Sequence, residues 1–114
     1  MKDHYDFSKK PYKEKLAPRI IKNCINAIKY NKDNPKYQYF LAVAYHKNQE
    51  YSKAIKSIKS AADKNSSFAQ RELGVMYLRG DLLKKDRQMA KLYLLKAAEN
   101  GDKPAQALIN QLHI

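Results

Sequence analysis

A period of 34 to 36 residues constrains this chain more than any other feature. Ile20, Cys24 and Ala27 recur 34 positions later as Ala54, Ile58 and Ala61. Ala54 and Ala62 recur 36 positions later as Ala90 and Ala98, and the pair Ala69-Gln70 recurs 36 later as Ala105-Gln106. Self-similarity at this spacing marks an array of supersecondary units, each too small to bury its apolar side alone. Between the recurring positions the apolar residues follow helical spacing, so each unit is built of helices. The step lengthens around residues 81–85, where a loop absorbs an insertion without disturbing helix packing.

Local signals divide the chain into helices. A first helix is expected from about Pro18, because proline suits a first helical position, to Tyr30. Ile20, Ile21, Cys24, Ile25, Ala27 and Ile28 form its apolar face. The run Asn31 to Pro35 stops it and opens a second helix, Pro35–Lys47, apolar on more than one side and therefore sandwiched between neighbours. After a turn at 48–50, a third helix covers 51–64. Its Ala54, Ile55, Ile58, Ala61 and Ala62 point inward, and Lys53, Lys56 and Lys59 point to solvent. Ser66 or Ser67 caps a fourth helix over 68–79, which ends at Gly80. A fifth helix over 86–100 starts on Asp86, ends at Gly101 and turns Met89, Ala90, Tyr93, Leu94, Ala97 and Ala98 inward. A sixth, short helix covers 104–112. Residues 1–15 are expected to form a basic, irregular arm, with Pro11 interrupting any helix there.

The period resembles that of the tetratricopeptide repeat. Leu41, Ala42 and Tyr45, followed by Ala54, Ile58 and Ala61, fit its alternation of small and large positions, although Tyr37 or Gln38 stands near its usual aromatic anchor. Residues 68–108 resemble a longer relative, the Sel-one-like repeat. The resembling residues are Ala69, Leu73-Gly74, Tyr77, Gly80, Asp86, Ala90, Tyr93, Lys96-Ala97-Ala98, Gly101 and Ala105. Asp81-Leu82-Leu83 departs from that pattern, and the disulfides of its secreted members are missing. The resemblance implies an all-α, right-handed α-α superhelix of about two and a half helix pairs. Residues 16–31 would be a partial repeat, 35–65 a tetratricopeptide-like repeat, 67–100 a Sel-one-like repeat and 103–114 a capping helix. The array 16–114 would be one domain, preceded by the arm.

Composition narrows the function classes. No apolar run approaches the ~20 residues of a membrane span. The N-terminus has no apolar signal region, so a cytoplasmic location is expected. A single cysteine, Cys24, excludes an intrachain disulfide. His4, His46 and His113 are widely spaced, Cys24 lies on an apolar helix face, and no phosphate loop, metal motif or carboxylate pair is present. The expectation is a protein with no enzymatic activity and no cofactor.

Binding is the remaining class. By resemblance, the first helix of each pair lines a concave surface. Lys36, Tyr39, Val43, His46 and Lys47 would come from the second helix; Phe68, Arg71, Val75, Leu78 and Arg79 from the fourth. Cations beside an apolar floor imply an acidic peptide or acidic protein surface, held by charge-assisted bonds from Arg71 and Arg79. The net charge is +12, with lysine supplying 19 of 23 basic residues. It attracts acidic surfaces, and the same composition also serves solubility. Lys53, Lys56, Lys59, Lys84, Lys85, Arg87, Lys91 and Lys96, with the arm, offer an alternative: docking on RNA, DNA or a ribonucleoprotein. A further expectation is an oligomer or hetero-complex through the apolar 16–31 end, unless Tyr5, Phe7 and Tyr12 of the arm cover it.

Overall fold

The computed structural model describes residues 10–113, with side chains from Ala17 onward. The described chain is six helices: α1 (Lys10–Tyr30), α2 (Pro35–Lys47), α3 (Tyr51–Asp63), α4 (Ser67–Arg79), α5 (Arg87–Glu99) and α6 (Lys103–Leu112). Each packs on the next in sequence, α2 against α3 and α4 against α5 most extensively. No strand occurs among the described residues. The result is an elongated all-α solenoid of 56 × 33 × 24 Å.

The first helix begins at Lys10 rather than near Pro18, and neither proline breaks it. Pro11 falls in the first turn, where an N–H has no helical acceptor to lose. Pro18 lies inside the helix, so the bond to the carbonyl four residues earlier is missing while the helical path continues. The arm's Tyr5 and Phe7 lie outside the described residues, as does any description of the Tyr12 side chain.

Caps set the remaining helix starts. Asn34 accepts from the Lys36 N–H at 3.0 Å, and Ser66 from the Ala69 N–H at 3.2 Å. Asp86 accepts from Gln88 and Met89, each at 3.1 Å, and Asp102 from Ala105 at 3.0 Å. Each satisfies backbone donors that the first helical turn leaves open. Gly80 closes α4 at φ 76°, the left-handed conformation a side chain disfavours.

The pairs α2–α3 and α4–α5 correspond in sequence register. Leu41, Ala42 and Tyr45 correspond to Leu73, Gly74 and Tyr77; Ala54, Ile58 and Ala61 correspond to Ala90, Leu94 and Ala97. One core cluster joins Ala42, Ile58, Ala61, Ala62, Ala69 and Leu73, with Tyr39, Met76, Tyr77 and Tyr93 packed on it. A second joins Leu94, Ala97 and Ala105 to Leu78, Leu108, Ile109 and Leu112. At Gly74 a methyl group would lie 2.8 Å from Leu94 Cγ and 3.2 Å from the Ala90 carbonyl oxygen. The absent side chain is therefore what lets α4 and α5 approach this closely.

A glutamine at one recurring position stitches each unit to the preceding helix. Gln70 Nε2 donates to the Ala62 carbonyl at 3.1 Å, and Gln106 Nε2 donates to the Ala98 carbonyl at 3.1 Å. Asn100 then donates to Gln70 Oε1 at 2.9 Å. Gln38 occupies the matching place in α2 and is buried, but its Oε1 has no partner. The residue corresponding to Asn100 in the preceding unit is Lys64, whose ammonium tip lies too far along its stem to replace a short amide.

Candidate functional site: a groove between the first helices of two units

Helices α2 and α4 both pack on α3, which leaves a groove over it of about 510 Å³. Tyr39, Ala42, Val43, His46 and Lys47 come from α2, and Ala54, Ile55 and Ile58 of α3 form the floor. Glu72 and Met76 come from α4, with Asp81 and Leu82 from the loop that follows it. The side chains of α2 reach this wall because 39, 43, 46 and 47 share one helix face. From Tyr39 to Lys47 the wall runs about 12 Å at the helical rise.

One end is aromatic. The Tyr39 and Phe68 rings lie 5.4 Å apart, and the Arg71 guanidinium sits 4.9 Å from the Phe68 ring centre. Burial, and next the Glu72 carboxylate, hold the Tyr39 hydroxyl above the usual phenol range, with Arg71 pulling the other way. The other end is made by His46, whose ring meets Tyr51 edge-on at 5.3 Å, by Lys47, and by the loop residues. Leu82 stands there at φ 61° and is 44% exposed. An aliphatic residue held left-handed with its side chain in solvent is a strained placement, of the kind that collects at ligand-contacting loops.

The sequence-based concave set divides in the structure. Tyr39, Val43, His46 and Lys47 line the groove together. Phe68 borders it through Tyr39, and Lys36 lies over the Tyr37 ring at the start of α2, 5.3 Å from its centre. Arg71 is directed away. Its Nε donates to Asp102 at 2.7 Å, in a pair whose side chains are 23% and 10% exposed. Leu78 packs into the α5–α6 cluster. Val75 and Arg79 are not among the lining residues. The expectation that this wall holds cations and no acid is corrected: α4 and its loop contribute Glu72 and Asp81. Glu72 escaped sequence reasoning because a polar residue on the repeat's free positions carries no signal of which neighbour it faces, and Met76 because an apolar residue there reads equally as core.

The outward lysines are partly engaged within the chain. Lys53 pairs with Glu50 at 3.2 Å and lies over Tyr45, 5.8 Å from the ring centre. Together with the Asn48 amide at 2.7 Å, it keeps the Glu50 carboxyl below the usual range, the Asn48 hydrogen bond being the larger cause. Arg87 donates to the Leu112 carbonyl at 3.4 Å, and Lys96 lies over Tyr93. Lys59 is half-buried, while Lys56, Lys84, Lys85 and Lys91 are exposed.

No helix among the described residues is long and apolar enough to cross a membrane. Residues 67–102 match the family model of the Sel1 repeat. No curated protein and no solved structure matches the chain. Sel1 repeats mediate protein interactions and are generally non-enzymatic. The close approach at Gly74, the left-handed Gly80 and the caps at Asp86 and Asp102 all lie within the matched stretch, so the chain carries a Sel1 repeat over α4 and α5, ending at the cap of α6.

Proposed function

We propose that the chain is a non-enzymatic adaptor that receives a segment of another protein in the groove between α2 and α4. The observation that carries this reading is an open apolar floor, Ala42, Ala54, Ile58 and Met76, bordered by polar groups at both ends. Recognition sites of this size are concave and mostly apolar, with few polar groups that fix orientation. Val43 and Phe68 support it, since they remain 37% and 53% exposed at the rim of a well-packed core. We read residues 35–65 and 67–100 as successive repeats, with 16–31 a partial one and 103–114 the cap. The polyanion alternative rests on the lysine-rich outer face and the arm, and of that face Lys53 and Arg87 already have partners within the chain. A photo-crosslinking amino acid in place of Val43 tests the groove. It should capture a polypeptide from the native cell that the same group at Lys91, on the outer side, does not. Equal capture at both positions would sink the reading.

A further inference from the structure

The charges of the groove run against those of the chain. Over the whole sequence 23 basic residues face 11 acidic ones. In the groove lining, Glu72 and Asp81 face one lysine, Lys47, with His46 beside it. Lys47 ends α2 and Asp81 follows α4, so opposite signs share that end. Glu72 stands toward the other end, close enough to Tyr39 to raise its hydroxyl's pKa.

Among the described residues Glu72 makes no ion pair, and no hydrogen bond reaches its carboxylate. The nearest cation in sequence, Arg71, is committed to Asp102 at 2.7 Å and stacks on Phe68. Glu72 itself is half-buried and lines, with Tyr39 and Met76, a groove with an apolar floor. A partly desolvated carboxylate without a partner is costly, and a cation brought by a ligand would relieve that cost. Asp81, by contrast, is exposed, so water already compensates it.

We propose that the occupant of the groove is an apolar polypeptide segment carrying one lysine or arginine, whose cation seats against Glu72 between Tyr39 and Met76. The proposal rests on the groove reading above and adds the chemistry of the bound residue. The lysine-rich exterior keeps a separate role: it steers acidic surfaces toward the protein at long range, while the contact residue has the opposite sign. Aromatic Tyr39 adds a face on which the incoming cation can rest.

The test is selection of displayed random peptides against the whole chain, repeated with Glu72→Gln, Glu72→Lys and Val43→Glu, each checked for an unchanged melting temperature. Supporting results are peptides with a lysine or arginine flanked by apolar residues. Their affinity falls about tenfold with Glu72→Gln, the size of a partly desolvated charge pair. Selection on Glu72→Lys then replaces the basic residue with aspartate or glutamate. Peptides that are lost on Val43→Glu, yet are acidic or indifferent to both Glu72 variants, would keep the groove and overturn the cation. If no peptide is selected, or binding ignores Val43→Glu, the groove reading falls and the cation proposal falls with it.

Discussion

The pairs α2–α3 and α4–α5 use the same positions for the same purposes, and they differ in how completely those positions are buried. In α4–α5, Leu73, Ala90 and Leu94 are fully buried; their counterparts Leu41, Ala54 and Ile58 keep between 5% and 8% of their surface, while Ala97 and its counterpart Ala61 are buried alike. The difference begins at one residue. Gly74 lets Leu94 reach the α4 backbone, whereas Ala42 places a methyl group at the corresponding position of α2. It continues in the connections, which are three residues in α2–α3 (48–50) and seven in α4–α5 (80–86). The longer connection packs Leu83 on the core and delivers Asp81 and Leu82 to the neighbouring groove. In a stacked array, then, an insertion in one unit reaches the groove over the preceding one.

The largest expected effect lies at the tight pair's centre. Leu94→Ala should cost about 3–5 kcal/mol, because a fully buried leucine leaves a cavity that close-packed neighbours cannot fill. Ile58→Ala, at the corresponding place in the looser pair, should cost about 2–3 kcal/mol. Urea denaturation of both variants measures the gap; equal losses would mean the two pairs close alike. A smaller effect is expected from exchanging the close-approach residues. Gly74→Ala should destabilise by about 1–3 kcal/mol through overpacking against Leu94 and the Ala90 carbonyl, despite the helix propensity gained. Ala42→Gly should lose about 1 kcal/mol, chiefly propensity. A stabilised Gly74→Ala would show that the glycine is not required for the approach.

The smallest effect is on pH dependence. Burial first, and then Glu72 for Tyr39 and Asp63 for Tyr93, raise both hydroxyls. A hydroxyl raised in the folded state keeps its proton there after the unfolded chain has lost it. Its contribution is therefore complete below about pH 10 and disappears as pH climbs through the folded value. Melting temperature should fall above pH 10, with a shallower slope in Tyr39→Phe and in Tyr93→Phe. Slopes unchanged by both substitutions would show that neither ring is held in this way.

The legible part of the fold was the part written in local chemistry. Asp86 as an N-cap and Gly80 as a left-handed stop follow from side-chain reach and backbone freedom within a few residues, and both stand as expected. The 3.6-residue period likewise places Ala54, Ile58 and Ala61 inside. The first helix was misjudged because a proline's cost depends on where in the helix it falls. Pro11 loses nothing in a first turn, and Pro18 is carried by the residues on either side. Of the candidate site, the α2 wall was legible, since Tyr39, Val43 and His46 lie on one face of a single helix. The α4 wall was not.

That wall shows what each level determined. The sequence by itself determined the helices, their caps, the recurring small residues and therefore the stacked architecture, because all of these depend on neighbours within a turn or on a repeated spacing. Only the tertiary structure decided which side of α4 faces the groove. Adjacent residues on a helix point about 100° apart, so Arg71 and Glu72 cannot both serve one surface. The stacking of α6 places Asp102, distant by 31 residues, beside Arg71 and draws it out of the groove. Glu72 is then left on the groove side with no ion pair among the described residues, and the sign of the charge in the groove follows from that distant contact rather than from the composition of the chain.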